Sequence, residues 1–230
     1  MTLPRLLLFD IDGTLLSSGP TARKVFSEAL VEVFGTPGAV ETYRFEGKLD
    51  PLIVQELMIE AGIHQTIVAG RLTMALDIYL DRLEAVLALE KPTLKPGVLP
   101  LIQQVIATPG LVNALLTGNL ERGARLKLTA ADLWHHFSFG VWGDDGARRT
   151  ELGGVALQRA REVTGVRFEG RDCVVIGDST HDVDCGKALG ARVVGVATGR
   201  TSPDLLLAAG ADVVLSDFSD LTLAMEALLG

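Results

Sequence analysis

The feature that most constrains the fold is a series of short apolar runs, several of which end in a polar residue. The first run, RLLLF, is followed at once by Asp10, and the run DCVVIGD ends in Asp178. Uninterrupted Val-, Ile- and Leu-rich runs of this length are typical of strands buried on both faces of a parallel sheet. Five such strands are predicted, at 5–9, 111–117, 172–178, 192–198 and 212–217.

Segments with helical patterning lie between these strands. They cover residues 120–131, 154–164, 180–189 and 217–228. Alternation of strands and helices requires right-handed crossovers, which place helices on both faces of the sheet. The fold class predicted is therefore α/β, a doubly wound parallel sheet with a Rossmann-like core.

The alternation is interrupted between about residues 20 and 90, where only helical signals occur. One apolar stripe runs from Val25 to Val33 and another from Leu72 to Leu87, while Asp50-Pro51 predicts a third helix with Asp50 as its N-cap. The segment 91–100, KPTLKPGVLP, contains three prolines and is interpreted as a stiff connector. The predicted domains are an α/β catalytic core at 1–16 and 92–230 and an all-helical cap at 17–91, inserted after the first strand.

Composition excludes several classes of protein. The chain has 230 residues, 48% of them hydrophobic and 22% charged, which is ordinary globular usage and excludes a disordered chain. A net charge of −8 and the lack of a basic stripe argue against nucleic-acid and membrane partners. No apolar run approaches a spanning length, and the early charge at Asp10 does not suit a secretory leader. Cys173 and Cys185 form no CxxC pair, so we expect reduced thiols and a cytoplasmic location.

Polar side chains follow three of the predicted strands. Because the carboxyl ends of parallel strands meet at one edge of a sheet, these residues should converge there. Several aspartates crowded together would repel unless a hard divalent cation intervened, so Mg²⁺ is expected, with Asp10 and Asp178 as side-chain ligands. The residues concerned are Asp10, Asp12, Gly13 and Thr14, then Thr117, Gly118 and Asn119, then Asp178, Ser179 and Asp182.

Asp12 is expected to act differently from Asp10. It can offer its backbone carbonyl to the metal, which leaves its carboxyl free for general acid and base work. Gly13 would let the backbone approach an anionic substrate closely. The competing interpretation of Asp-x-Asp-Gly alone is a simple turn, and the later motifs argue against it.

Together these motifs resemble a known family. FDIDGTL at 9–15, LLTGN at 115–119 and VVIGDSTHD at 174–182 resemble motifs one, two and four of the haloacid dehalogenase-like hydrolase superfamily. The helical insert stands where that family has a helical cap. The likeness is greatest to the phosphoglycolate-phosphatase-like branch.

The resemblance implies a role for each matching residue. Asp10 would be the nucleophile that forms an aspartyl-phosphate, and Asp12 would be the general acid and base. Thr117 would hydrogen-bond the phosphoryl group, with Thr14, Gly118 and Asn119 also on the substrate. Asp178 would hold Mg²⁺ with Asp10 and the Asp12 carbonyl, while Asp182 would orient a metal water or a cation behind them.

Motif three departs from the family, which commonly has a lysine there. The segment 143–152, GDDGARRTEL, contains none. Arg149 is the expected replacement and Arg148 the competitor, because a guanidinium can also pair with phosphate or carboxylate. In the insert, FEGKLDPLI at 45–53 resembles a substrate-facing cap loop, which would place Lys48 at the phosphoryl site or at the anionic end of the substrate.

The function implied is Mg²⁺-dependent hydrolysis of a small, phosphoglycolate-like phosphomonoester, by a monomer or a homodimer. Three alternatives stay open. A sugar-phosphate mutase of the β-phosphoglucomutase type shares both aspartates and the cap. A metal-independent haloacid dehalogenase shares the fold and the nucleophile, but its first motif generally lacks the residue corresponding to Asp12. A non-catalytic binding scaffold would keep the residues without turnover.

Overall fold

A computed structural model of the protein describes residues 4–230. Residues 1–3, which belong to the predicted core segment 1–16, lie outside the described part.

The described chain contains a six-stranded sheet in which every pair of neighbouring strands is parallel. Its strands are β1 (Arg5–Phe9), β4 (Leu111–Leu116), β5 (Gly140–Val141), β6 (Cys173–Gly177), β7 (Arg192–Val196) and β8 (Val213–Leu215). Their spatial order is β5-β4-β1-β6-β7-β8, so β1 lies at the centre, between β4 and β6. The five predicted strands are all present, and β5 was not predicted.

Helices cover both faces of the sheet, which confirms the doubly wound prediction. Alternate residues of β1 point to opposite faces, so Leu7 and Phe9 pack in one cluster and Leu6 and Leu8 in another. The first face is covered by α4 (Val98–Ala107), α5 (Glu121–Ala130) and α9 (Leu221–Leu229). The second is covered by α6 (Leu152–Thr164), α7 (Thr180–Leu189) and α8 (Pro203–Ala209).

The insert after β1 is helical. It comprises α1 (Gly19–Phe34), α2 (Asp50–Glu60) and α3 (Gln65–Leu87). Their apolar stripes close on one another in a separate core, in which the ring of Phe26 meets those of Phe45 and Tyr79 edge-on at 5.5 and 5.0 Å between centroids. The insert therefore has its own hydrophobic core, distinct from the clusters that flank the sheet.

Residues 91–100 do not form the stiff connector that the sequence predicts. The first part of this segment contains β3 (Thr93–Leu94), which pairs antiparallel with β2 (Leu16–Ser17), and its last part begins α4. The helix starts after Gly97, whose φ of 76° lies in the left-handed region. Pro100 is tolerated because it falls in the first turn, where its missing N–H has no intrahelical partner.

The start of α2 is a second correction. The N-cap is Leu49 rather than Asp50, and no side chain caps this helix from within. Asp50 is instead the first helical residue, and its carboxylate accepts a hydrogen bond from the backbone N–H of Leu120 at 3.1 Å. Asp50, which was predicted to cap the start of α2, therefore links the insert to the core instead.

Among residues 4–230, no helix combines the length and the apolar character that crossing a membrane requires.

Candidate active site

A cavity of about 410 Å³ lies between the carboxyl edge of the sheet and the insert. We call its two sides the core wall and the insert wall. The core wall contains Asp10, Asp12, Thr117, Arg149 and Asp178. The insert wall contains Arg23, Phe26, Phe45, Lys48 and Tyr79.

Arg149 organises the floor of the cavity. It lies in a short 3₁₀ helix, Arg149–Glu151, that precedes α6, and its side chain is only 5% exposed. Its Nη2 donates to Asp10 Oδ1 at 2.7 Å, to the backbone oxygen of Leu116 at 3.1 Å and to Asp182 Oδ1. Arg149 therefore bridges two carboxylates, that of Asp10, the predicted nucleophile, and that of Asp182. Arg148, the competing candidate, is exposed.

Asp182 lies behind Arg149 and is fully buried. Its Oδ2 accepts hydrogen bonds from the backbone N–H and the hydroxyl of Ser179, at 3.0 and 2.6 Å, while the Ser179 side chain caps the start of α7. Since both oxygens of Asp182 are already bonded, its position is that of a group that fixes Arg149. This position is compatible with the role of orienting a cation that the resemblance implies for Asp182, and that role stays a prediction.

The acidic cluster suits a divalent cation. Asp10, Asp178 and Asp182 are all buried, and one oxygen of each lies within 4.8 Å of the others. Burial raises the pKa of Asp10 to about 7, although Arg149 opposes this shift. Burial, together with the charges of Asp182 and Asp10, raises the pKa of Asp178 to about 8.

Asp178 Oδ2 is buried and has no hydrogen-bond partner among residues 4–230. Asp10 and Asp178 therefore supply oxygen donors whose mutual repulsion a hard cation would relieve, and the residues fit Mg²⁺.

Gly13 and Thr14 both pack against Asp178, and Gly13 also lines the cavity. Their predicted contacts with the substrate stay predictions. Gly13 has a φ of 91°, and a Cβ there would lie 2.4 Å from Asp178 Oδ2. Its N–H is already bonded to the carbonyl of Leu16 at 2.8 Å. Thr14 is completely buried and its hydroxyl approaches Asp178 Oδ1 at 3.3 Å. The glycine is required because the metal-ligand candidate packs against its backbone.

Thr117 is the residue that the resemblance predicts to hydrogen-bond a phosphoryl group. It directly follows β4 and lines the cavity. Its Oγ1 accepts hydrogen bonds from the N–H and the side-chain amide of Asn119, at 3.3 and 2.9 Å. Because both of these are accepted bonds, the hydroxyl hydrogen of Thr117 is left to donate to a ligand.

Lys127, which was not predicted to belong to the site, hydrogen-bonds to both Asp12 and Asn119. Asp12 Oδ2 accepts from Lys127 Nζ at 2.6 Å and from Asn119 Nδ2 at 2.7 Å. Burial disfavours the Lys127 ammonium, but the nearby Asp12, Tyr79 and Asp50 outweigh it and raise the pKa of Lys127 above its usual value. The ammonium therefore stays charged inside the protein.

A signal for Lys127 existed in the sequence. Lys127 lies on the buried stripe of α5, four residues after Gly123, three after Ala124 and one before Leu128. A lysine on a buried stripe needs a carboxylate partner.

Lys48 lines the cavity, but its charge is already paired within the insert. Its Nζ lies 2.5 Å from Glu56 Oε2 and 2.9 Å from the hydroxyl of Tyr43. Arg23, the other cation of the insert wall, donates to the backbone oxygen of Val40 at 2.7 Å and stacks 4.5 Å from the ring centre of Phe45. Lys48 therefore belongs to the insert wall, but its ammonium is hydrogen-bonded to other residues of the insert and not to the core wall.

The insert wall lies against the core. The N–H of Asp50 donates to the carbonyl of Gly118 at 2.8 Å. A Cβ at Gly118 would lie 1.9 Å from the carbonyl oxygen of Lys48, so only glycine permits this contact. Gly118 therefore determines how close the insert comes to the core, in addition to lining the cavity.

Comparison with known proteins identifies the family. Haloacid dehalogenase-like hydrolases match residues 4–190, and the chain belongs to this family.

Three relatives illustrate the likeness. A phosphoglycolate phosphatase of Pseudomonas fluorescens is 26% identical over 198 residues, which are 86% of this chain and 71% of the relative. The probable phosphatase IndB of Dickeya dadantii is 26% identical over 97% of this chain and 94% of its own length. The solved structure of a hydrolase from Pseudomonas syringae superposes with a TM-score of 0.76 at 24% identity, covering 96% of this chain and 98% of that one.

Proposed function

We propose that this protein is a Mg²⁺-dependent phosphatase that hydrolyses a small phosphomonoester through an aspartyl-phosphate. The observation that carries the proposal is that Arg149 donates to both Asp10 and Asp182, beside an oxygen of Asp178 that has no hydrogen-bond partner among residues 4–230. Relatives named as phosphatases support the same reaction class. Phosphoryl transfer mainly needs positioned groups and neutralised charge, which this constellation supplies.

The reaction has two steps on this chain's own residues. In the first, a carboxylate oxygen of Asp10 attacks phosphorus, the bond from phosphorus to the ester oxygen breaks, and Asp12 gives its proton to the departing alcohol. In the second, Asp12 takes a proton from water, whose oxygen attacks phosphorus and breaks the bond to Asp10. Phosphate leaves, and Asp12 is protonated again.

Two residues and the metal position the reacting groups during these steps. The hydroxyl of Thr117 donates to a phosphoryl oxygen, as its accepted bonds leave it free to do. Arg149 keeps Asp10 oriented for attack. Mg²⁺, bound by Asp10, Asp178 and the backbone carbonyl of Asp12, would supply positive charge beside the phosphoryl oxygens.

The leaving group is a small organic alcohol that fits the space between the two walls. A phosphoglycolate-like ester is the first candidate, because several relatives carry that name. Its carboxylate would need a cation on the insert wall, and Lys48 is the candidate. We propose a cytoplasmic enzyme that acts on a phosphorylated metabolite.

The test is phosphate release from a panel of phosphomonoesters that includes phosphoglycolate, with Mg²⁺ or with EDTA. We expect metal-dependent turnover in the native protein and none in Asp10→Asn, whose fold circular dichroism should report as intact. Full activity in Asp10→Asn would overturn the nucleophile assignment. No release from any ester, with isomerisation of a sugar phosphate or release of halide instead, would replace the proposal by a mutase or a dehalogenase.

A further inference from the structure

The carboxyl of Asp12 is held on one side only. Its Oδ2 accepts two hydrogen bonds, from Lys127 at 2.6 Å and from Asn119 at 2.7 Å. Its Oδ1 is approached only by the hydroxyl of Ser18 among the described residues, at the long distance of 3.4 Å. The Asp12 side chain is 40% exposed, whereas that of Lys127 is 6% exposed. The anchor is therefore buried, and the anchored group reaches into the cavity.

The anchor itself is rigid. Lys127 Nζ also donates to Asn119 Oδ1 at 2.5 Å, so the two donors that meet at Asp12 are bonded to each other. Asn119 donates in turn to Thr117 Oγ1 at 2.9 Å. Lys127 projects from α5, which packs against the sheet through Ala124 and Leu128. A carboxyl bound in this way cannot rotate about its Cβ–Cγ bond without losing both hydrogen bonds.

This geometry determines which oxygen can exchange a proton. An oxygen that accepts from two N–H donors acts as the acceptor whether or not the carboxyl is protonated, so the proton must reside on the other oxygen. Here that oxygen is Oδ1, which lies on the open side of Asp12. Orientation of a proton donor to within hydrogen-bond reach is a large part of general acid and base catalysis.

We propose that Lys127 is the positioning residue of the reaction, which with Asn119 fixes Asp12 Oδ2 so that Oδ1 performs both proton transfers. This inference rests on the proposed function, since it assigns the proton transfers to Asp12. Lys127 lines the cavity, but its ammonium is hydrogen-bonded to Asp12 and Asn119, and in this proposal it acts through Asp12. Its removal should therefore affect the steps that need a proton and spare the step that does not.

The leaving group provides the readout. p-Nitrophenolate departs without protonation, whereas the alkoxide of butyl phosphate needs a proton from Asp12. In Lys127→Met, rapid mixing with p-nitrophenyl phosphate and Mg²⁺ should release about one equivalent of nitrophenolate per site in a burst. Slow turnover should follow, about 100-fold below the native rate, because hydrolysis of the aspartyl-phosphate needs the base. Butyl phosphate should give no burst and a loss of similar or greater size.

Controls separate positioning from a general structural effect. Arg125→Met removes an exposed cation from the same helix and should leave both rates unchanged. Asp12→Asn should reproduce the burst, and Asp12→Asn with Lys127→Met should lose little more than Asp12→Asn alone, because the two residues act as one unit. Asn119→Ala removes the second donor and should give the same burst, so the test does not depend on one variant folding.

The burst amplitude counts folded sites, so a destabilised variant is recognised by its amplitude and not mistaken for a slow one. Equal losses for the two esters without a burst, or fully additive losses in the double variant, would overturn the role of Lys127. Native protein that releases nitrophenolate and phosphate normally would show that the proposed function survives such a failure. Native protein that hydrolyses neither ester would overturn the proposed function and this inference together.

Discussion

The two walls of the cavity use their charged residues differently. In the core wall the charges meet at the sheet edge, where buried Arg149 joins Asp10, which follows β1, to Asp182 in the first turn of α7. In the insert wall Lys48 is paired within the insert, with Glu56, and the side chains of this pair are 23% and 41% exposed. One wall has its groups locked by long-range contacts, and the other has local and partly solvated pairs.

The difference indicates which properties each wall can change. A buried ion pair that loses one partner leaves an uncompensated charge, so the core wall tolerates little variation. A half-exposed pair contributes little to stability, so residues of the insert wall can be exchanged at small cost. We therefore expect the reaction chemistry to depend on the core wall and the choice of leaving group to depend on the insert wall.

The largest expected effect is that of Arg149→Met. It leaves Asp10 and Asp182 buried without their cation, which should lower the free energy of unfolding by about 3 kcal/mol and kcat by about 10³-fold. Denaturant unfolding and steady-state phosphate release measure the two effects. Arg148→Met is the matched control, because its exposed side chain should change stability by no more than about 0.5 kcal/mol. Equal small effects of the two changes would contradict the contrast between the walls.

The next effect concerns the cation. If Asp10 and Asp178 bind Mg²⁺, the ion stabilises the native state, by about 2.7 kcal/mol at 100 times its dissociation constant. Thermal unfolding should therefore shift upward with MgCl₂ in the native protein and not in Asp178→Asn. Asp204→Asn, an exposed carboxylate in α8, should keep the shift. A metal-induced shift that persists in Asp178→Asn would show that the ion binds elsewhere.

A smaller effect is expected where the walls meet, at Asp50. Burial raises the pKa of this carboxyl to about 6, against an ordinary value near 3.8. The native state therefore binds more protons than the unfolded state between these two values, and stability falls as the pH rises through this window. A shift of this size corresponds to about 3 kcal/mol, and contact with the cavity reduces it, so we expect a cost of about 2 kcal/mol at pH 7.

Asp50→Asn removes that charge while its side-chain oxygen can still accept from Leu120. The variant should be more stable than the native protein at pH 7, with the gain vanishing near pH 4. Urea unfolding across this range measures it, and Asp77→Asn, exposed on α3, should show no such trend. A gain that is the same at every pH would refute the assignment to this carboxyl.

The smallest effect is expected for Lys48→Met. Because its ammonium is bonded to Glu56, the variant should leave kcat unchanged and raise KM for phosphoglycolate by less than about tenfold, the equivalent of 1.4 kcal/mol. Steady-state kinetics separate the two constants. Glu56→Gln should lower KM for the same ester, since it frees the ammonium. A hundredfold loss of kcat in Lys48→Met would instead place Lys48 on the phosphoryl group.

Much of the core could be predicted from the sequence because its strands are short, apolar and buried on both faces. The run CVVIG, for example, has no charged residue, so it predicts a buried strand, and it forms the fully buried β6. Position relative to strand ends also predicted that Asp10, Thr117 and Asp178 share one cavity. These predictions depend on local pattern and on a general rule of parallel sheets.

Several of the elements and contacts that were missed depend on residues distant in the chain. β2 and β3 are two residues each and exist only because they pair with each other across the insert. Lys127 is an ordinary helical residue until α5 is placed beside Asp12, 115 residues away in the chain. The prediction that Asp50 caps α2 was wrong for the same reason. A carboxylate at this position suits a local N-cap, but that of Asp50 accepts a hydrogen bond from Leu120 of the core instead.

The pairing of β2 with β3 has an evolutionary consequence. Ser17 lies opposite Thr93, so the chain leaves the core and returns to it at adjacent points. A segment whose ends are neighbours can be lengthened, shortened or exchanged without moving the strands that carry the catalytic side chains. The same sheet edge can thus be inherited unchanged while successive inserts adapt it to new metabolites.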